Sequence, residues 1–395
     1  MRILSILLYS PPSRNIGGAE IQMHSLHKDL LKQGIEVHVL AAIERVGCPY
    51  QMYEGISIWG VEIPKLTCCV FHPTNIWSWF KMKGIITLIK DRIGPVDLIQ
   101  ATPFREPALF AYWISRELRI PWVARIACSG PYGDFNYMPQ NWLTKRLLPR
   151  LARSCSAAIV LEEETYKEAL ANGIEEDKIR IISNALIVEH APSLENVKEI
   201  PTNGVVLFLG RVAPQKKPET LIKAYNILKS MEEGKENLRL PRLRILGGGD
   251  THALATLAEE NVLKTIDFMG HQEKIEPFLI DALCLVNPSE SEGFPNAVIE
   301  ACAFGVPVIL SDIPVHRKIA REVEMEDFLF PVGNEKVLSD NLLNFMMLSK
   351  EEVISKRIRC AHYGKKFSTE IRNRAYLDLY QRVLNGNKTH HGMCQ

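Results

Sequence analysis

Residues 286–312, VNPSESEGFPNAVIEACAFGVPVILSD, leave a folding chain few choices, because an apolar run, a polar loop, a short helix and a second apolar run follow without a gap. The pattern predicts a strand ending at Cys284, Leu285 and Val286, a loop over 287–296 and a helix over 297–304. Gly305 and Pro307 stop that helix, and residues 306–310 restart as strand. In an open parallel sheet ligands gather where such loops leave the carboxyl ends of strands, so this loop faces a crevice. Two acids frame it, Glu292 in the loop and Glu300 in the helix. Gly293 lets backbone approach closely, Pro295 suits an early helical position, and the N–H groups around Phe294, Asn296 and Ala297 are candidates to hold an anion. Carboxylates accept paired hydroxyl hydrogen bonds, so the site suits a ligand carrying both phosphate and sugar hydroxyls. A capping acid and a surface acid are the plainer alternative for an isolated pair at this spacing.

The chain's 395 residues exceed one ordinary core and predict two domains, 1–198 and 199–365, with the linker where 184–202 loses its apolar periodicity and carries Pro192 and Pro201. Forty-seven Lys and Arg against 46 Asp and Glu give no global basic field, and nucleic acid is not an expected partner. Nine scattered cysteines without a CxxC pair read as reduced thiols in a cytoplasmic protein. No metal is expected: the tail His390, His391 and Cys394 lacks a second ligand pair. The opening MRILSILLYS runs into Pro11, Pro12 and Arg14 without a cleavage site, and reads as a buried first strand rather than a signal peptide. No run approaches the ~18 to 20 apolar residues of a membrane span.

Strand 3–8, helix 20–33 and strand 36–41 make a βαβ start, with Gly17 and Gly18 where the strand feeds the helix but without GxGxxG spacing. Trp77, Trp79 and Phe80 interleave with Lys81, Lys83, Lys90 and Arg92, and Lys145, Arg146, Arg150 and Arg153 lie among leucines in 141–153. Both patches suit an anionic membrane surface, and equally a core helix with a solvated basic edge. After the strand at 122–126 comes a loop with Ser129, Gly130, Gly133 and Asp134. The second half repeats the plan. Strand 205–209 opens into GRVAPQKKP, where Arg211, Lys216 and Lys217 are placed for a diphosphate beside a helix N-terminus. Strand 243–246 leads to Gly247, Gly248, Gly249 and Asp250, where backbone can approach a base or ribose. His316, Arg317 and Lys318 read as solvated surface, and helices close the chain over 335–349, 350–365 and 369–384.

GGAE, LGRVAPQKKPETLIKAY, RILGGGD and PSESEGFPNAVIEACAFGVPVILSD, in that order, resemble the retaining glycosyltransferases of family four. The resemblance implies the α/β GT-B fold, two Rossmann-like domains with parallel sheets facing across a cleft. It also implies a final helix, 366–386, returning to the first domain before a disordered tail, 387–395. By the same resemblance Arg211 and Lys216 would grip the diphosphate of a UDP- or GDP-sugar, Glu300 the ribose and Glu292 the transferred sugar. Amides from Gly293 through Phe294 and Pro295 to Asn296 would contact sugar and phosphate, and Gly17 and Gly18 would close over the donor. The implied activity moves a hexose-type sugar, with retention and without cofactor or metal; the two basic patches, which suit a peripheral place on the inner face of the cytoplasmic membrane, add a glycan or lipid-linked acceptor in cell-envelope assembly. Gln100, Thr102 and Ala127 stand where many members carry histidine, Lys217 replaces a glycine, and Asn184-Ala185 replaces Asn-Gly; Asp134 is the candidate on the acceptor side. Competing readings are a GT-B-fold nucleotide-sugar epimerase and a catalytically impaired nucleotide-sugar-binding subunit.

Overall fold

The first strand shows why the chain builds parallel sheets. Its sequence RILSIL is apolar on both faces: Leu4 and Ile6 belong to one core, Ile3 and Leu7 to the other, and all four are buried. A strand wanted by two cores must lie between two helical layers. The computed structural model describes residues 1–13, 17–62, 83–136, 142–188, 191–233 and 239–392. Trp77, Trp79, Phe80, Lys81 and Cys394 lie outside the described residues, as do the side chains of Lys145, His390 and His391.

Two units emerge, Met1–Ala185 with Thr369–Gln395, and Leu186–Ser368. In the first, eight strands order as β3-β4-β2-β1-β5-β6-β7-β8: β1 Arg2–Leu7, β2 Glu36–Ala42, β3 Tyr50–Tyr53, β4 Ile56–Val61, β5 Leu98–Thr102, β6 Trp122–Arg125, β7 Ala157–Val160 and β8 Ile179–Ile181. All pairings are parallel except the β3–β4 hairpin. Helix α1, Gly18–Lys32, and the final helix, Thr369–Gly392, cover one face through Leu26, Leu30, Tyr376 and Tyr380. Helix α2, Glu106–Leu118, covers the other. The hairpin and α2 are elements that the sequence reading passes over.

Six parallel strands make the second sheet, ordered β11-β10-β9-β12-β13-β14: β9 Val205–Leu209, β10 Leu243–Leu246, β11 Ile266–Gly270, β12 Ala282–Asn287, β13 Val308–Ser311 and β14 Leu329–Phe330. The opening β-loop-α-β motif is β12, a loop, a helix at Asn296–Ala303, and β13.

Three boundaries differ from the sequence expectation. The first unit ends at Ala185, not at 198, because residues 186–188 and 191–198 pack on the second: Leu186 N–H donates to the Phe367 carbonyl at 2.7 Å, and Arg357 Nε donates to the Val197 carbonyl at 2.7 Å. Lost periodicity signalled an irregular segment, and that segment still buries Val197. The chain rejoins the first unit at Thr369 rather than 366. There Arg372 and Asn373 reach Asp29 of α1 at 3.3 and 2.8 Å, and Tyr380 OH donates to Gln100. The last helix also runs to Gly392, past the expected tail boundary, since no proline interrupts it.

Candidate active site

Strand order in the second sheet reverses between β9 and β12, the switch point where neighbouring loops diverge and a crevice opens. The loop after β9 carries Arg211 and Lys216, and the loop after β12 carries Glu292. Three contacts lace the two loops together. Glu290 N–H donates to the Gln215 carbonyl at 2.9 Å, Gln215 Nε2 donates to the Ser291 carbonyl at 2.7 Å, and Lys217 Nζ lies 3.4 Å from Glu290. Beside them Lys216 Nζ donates to Glu292 Oε1 at 2.6 Å.

Glu292 is 7% exposed and accepts also from Ser289 Oγ at 2.7 Å. Burial pushes its carboxyl up, but the adjacent Lys216 ammonium and the hydrogen bonds outweigh that and hold it below the usual carboxylate range. Lys216, half-buried, has two further protons for a second anion. Arg211 is exposed and has no partner among the described residues. Lys216 and Glu292 are thus in direct contact, and Arg211 lies on the same strand-end loop as Lys216.

The helix Asn296–Ala303 starts after Pro295, its N-cap. Backbone N–H groups of Gly293, Phe294 and Ala297 have no partner among the described residues, whereas Asn296 N–H is spent on the Phe294 carbonyl at 3.0 Å. Of the candidate anion donors, Gly293, Phe294 and Ala297 thus keep an N–H to offer, whereas that of Asn296 is engaged. Glu300, further along this helix, is raised to about 7, first by burial and then by the charge of Glu276. Glu276 stands on the loop side of β11, and its Oε2 is buried without a partner among the described residues.

Gly248 is not the glycine this region demands. A Cβ at Gly248 meets open space, but one at Gly247 would lie 1.8 Å from the Gly210 carbonyl oxygen, and one at Gly249 2.4 Å from that of Val212. Gly247 and Gly249, at φ +145° and +137°, let the loops after β9 and β10 touch, with Val212 N–H donating to the Gly248 carbonyl at 2.9 Å. Lys217, which stands where the family resemblance implies a glycine, has φ +48°, in the left-handed region.

Three site expectations fall in the first unit. Gly17 caps α1, its N–H donating to Glu20 Oε2 at 3.0 Å, and a Cβ there would lie 2.9 Å from that oxygen; Gly18 begins the helix. Asp134 is 4% exposed, and its Oδ2 accepts from Phe104 N–H at 3.0 Å and Ala127 N–H at 2.8 Å. Burial raises it to about 6 against those two bonds. This carboxylate, the sequence candidate on the acceptor side, clamps two strand-end loops through Oδ2. Sequence reasoning missed Glu168, whose Oε1 accepts from Gly130 N–H at 2.6 Å and holds the same loop. It also misread His316, which is fully buried behind Glu292 and pushed by burial down to about 4. Of the basic patches, Arg146, Arg150 and Arg153 are exposed on the helix Trp142–Ser154.

Two Rossmann-like parallel units, the second bearing cations and acids at its switch point, are those of a GT-B glycosyltransferase. Residues 16–190 match the family model described as Glycosyltransferase Family 4, and residues 192–367 match Glycosyl transferases group 1. The chain belongs to glycosyltransferase family 4 and is an enzyme of that class. It is 23% identical over 381 residues to a 2-deoxystreptamine N-acetyl-D-glucosaminyltransferase of Niallia circulans, covering 86% of this chain and 94% of that one. Among solved structures, sucrose-phosphate synthase from Thermosynechococcus elongatus superposes with a TM-score of 0.72 at 17% identity, over 98% of this chain and 99% of that one. Anabaena HepE, in complex with UDP and glucose, does so at 0.71 and 15%, over 97% and 100%.

Proposed function

We propose that this glycosyltransferase moves a hexose-type sugar, with retention of configuration, from a UDP- or GDP-sugar to a glycan or lipid-linked acceptor. The Lys216–Glu292 contact at 2.6 Å carries the reading, because it sets a diphosphate-binding cation against a sugar-binding carboxylate at the switch point. As the bond to the anomeric carbon breaks, positive charge grows on the sugar and negative charge on the departing diphosphate. Arg211, Lys216 and the N–H groups of Gly293, Phe294 and Ala297 stabilise the leaving group, supplying the charge compensation that a metal would otherwise give. Glu292 holds sugar hydroxyls, Glu300 accepts the ribose diol, and Gly248 leaves room at the nucleoside. The leaving phosphate takes the acceptor proton on the face it vacates.

In the first unit, Asp134 and Glu168 hold the loop after β6. Exposed Arg146, Arg150 and Arg153 support a peripheral site on an anionic cytoplasmic membrane; among the described residues no helix is long and apolar enough to cross one. Loss of co-sedimentation with anionic liposomes at low salt would remove that partner. Incubation with a nucleotide-sugar panel tests the main reading. Acceptor-dependent release of nucleoside diphosphate, with the product anomer matching the donor by NMR, is expected. Epimerised donor without acceptor would instead establish the epimerase, and binding without turnover across acceptors the impaired subunit.

A further inference from the structure

Behind Glu292 lies a buried relay that the proposed chemistry does not use. Ser311, at the end of β13, has one hydroxyl proton, and it goes to the Ser289 carbonyl 2.5 Å away. His316, in the first turn of the helix Pro314–Glu322, places Nδ1 3.0 Å from the Ser311 carbonyl and 3.1 Å from Ser311 Oγ. A carbonyl cannot donate, and the serine proton is already committed, so Nδ1 carries the imidazole hydrogen. Nε2 is then a bare acceptor, buried and without a partner among the described residues. Ser289, gripped through its carbonyl, places Oγ 2.7 Å from Glu292 Oε1 and 2.5 Å from Asn287 Oδ1, its one proton shared between the two acceptors, and Asn287 Nδ2 reaches the same Oε1 at 3.4 Å.

We infer that His316 is a positioning residue for Glu292: its Nδ1–H fixes Ser311, Ser311 fixes Ser289, and Ser289 fixes the carboxylate that faces Lys216. All four members are buried, with His316, Ser311 and Ser289 at 0% exposure, so a lost donor cannot be replaced from solvent. This rests on the reading of Glu292 as the sugar-holding acid. A core imidazole that only filled space would affect nucleotide and sugar alike, whereas a residue acting through Glu292 affects only the ligand that carries a sugar.

Two isosteres separate the ring nitrogens: asparagine places an amide N–H near the Nδ1 position, glutamine near Nε2. Titration calorimetry on the full chain compares UDP-glucose with UDP, and GDP-mannose with GDP, for wild type, His316→Asn and His316→Gln. For the pair that wild type binds, His316→Gln is expected to weaken the sugar nucleotide about tenfold while the nucleoside diphosphate stays within about twofold. His316→Asn is expected to stay within about threefold for both. Unchanged sugar-nucleotide affinity in His316→Gln overturns the inference, as does a parallel loss of both ligands or equal damage in His316→Asn. Wild type binding neither pair overturns the nucleotide-sugar reading itself. His316→Phe, followed by circular dichroism, serves as a third variant that lacks both nitrogens.

Discussion

Replacing Glu300 by glutamine should make the empty protein more stable and a poorer nucleotide binder. Its carboxyl rises from an ordinary 4.5 to about 7 because burial and the Glu276 charge oppose ionisation. For an acid raised on folding, the stabilising contribution is complete below the unfolded value and is lost as pH climbs through the folded one. Moving from 4.5 to about 7 corresponds to about 3 kcal/mol, most of it developing between pH 5 and pH 8. Glu300 is only partly enclosed, and solvent screening reduces the expected change to about 1–2 kcal/mol. Urea denaturation followed by circular dichroism should show Glu300→Gln gaining that amount over wild type at pH 8 and little at pH 5. Nucleoside diphosphate affinity should meanwhile fall about tenfold at pH 8, because an amide oxygen is a weaker acceptor for a ribose diol than a carboxylate. A variant equally stable or less stable than wild type at pH 8, or one shifted alike at both pH values, would refute the reasoning.

The other predictions separate roles that one loss-of-activity screen would merge. Arg211→Ala and Lys216→Ala should each reduce turnover on the order of a hundredfold. Only Lys216→Ala should also lower stability, by about 1–3 kcal/mol, since it strands the buried Glu292 charge; Arg211 should shift the urea midpoint by less than about 0.5 kcal/mol equivalent. Gly247→Ala should cost more than about 2 kcal/mol, through its clash with the Gly210 carbonyl and its positive φ, whereas Gly248→Ala should leave the melting temperature unchanged. Asp134→Ala should destabilise by about 2–4 kcal/mol by stranding the Phe104 and Ala127 N–H groups, and Asp134→Asn should recover part, as its amide oxygen still accepts.

Much of this was legible because parallel strands announce themselves: runs such as VVLFL and LRIL are too apolar for any place but between two layers. The switch-point loops were readable for a related reason, their Gly, Pro and acid content breaking those runs abruptly. What stayed hidden depends on where a side chain points after the chain has folded. His316 sits beside Arg317 and Lys318 and reads as surface, yet its helix turns it inward while Arg317 stays exposed. Asp134 was a candidate by family resemblance, and only the fold reveals that the backbone N–H of Phe104, thirty residues away in sequence, donates to it. Residues 186–188 and 191–198 lack periodicity because they pack on the second unit as irregular chain, which periodicity cannot report.

The central claim is that the loops after β9 and β12 clasp a nucleotide sugar. Backbone hydrogen exchange of the full chain with and without a saturating nucleotide sugar tests it most directly. Protection should concentrate on residues 210–216 and on the amides of Gly293, Phe294 and Ala297. Binding that protects other segments and leaves those amides exchanging as in the free protein would contradict it.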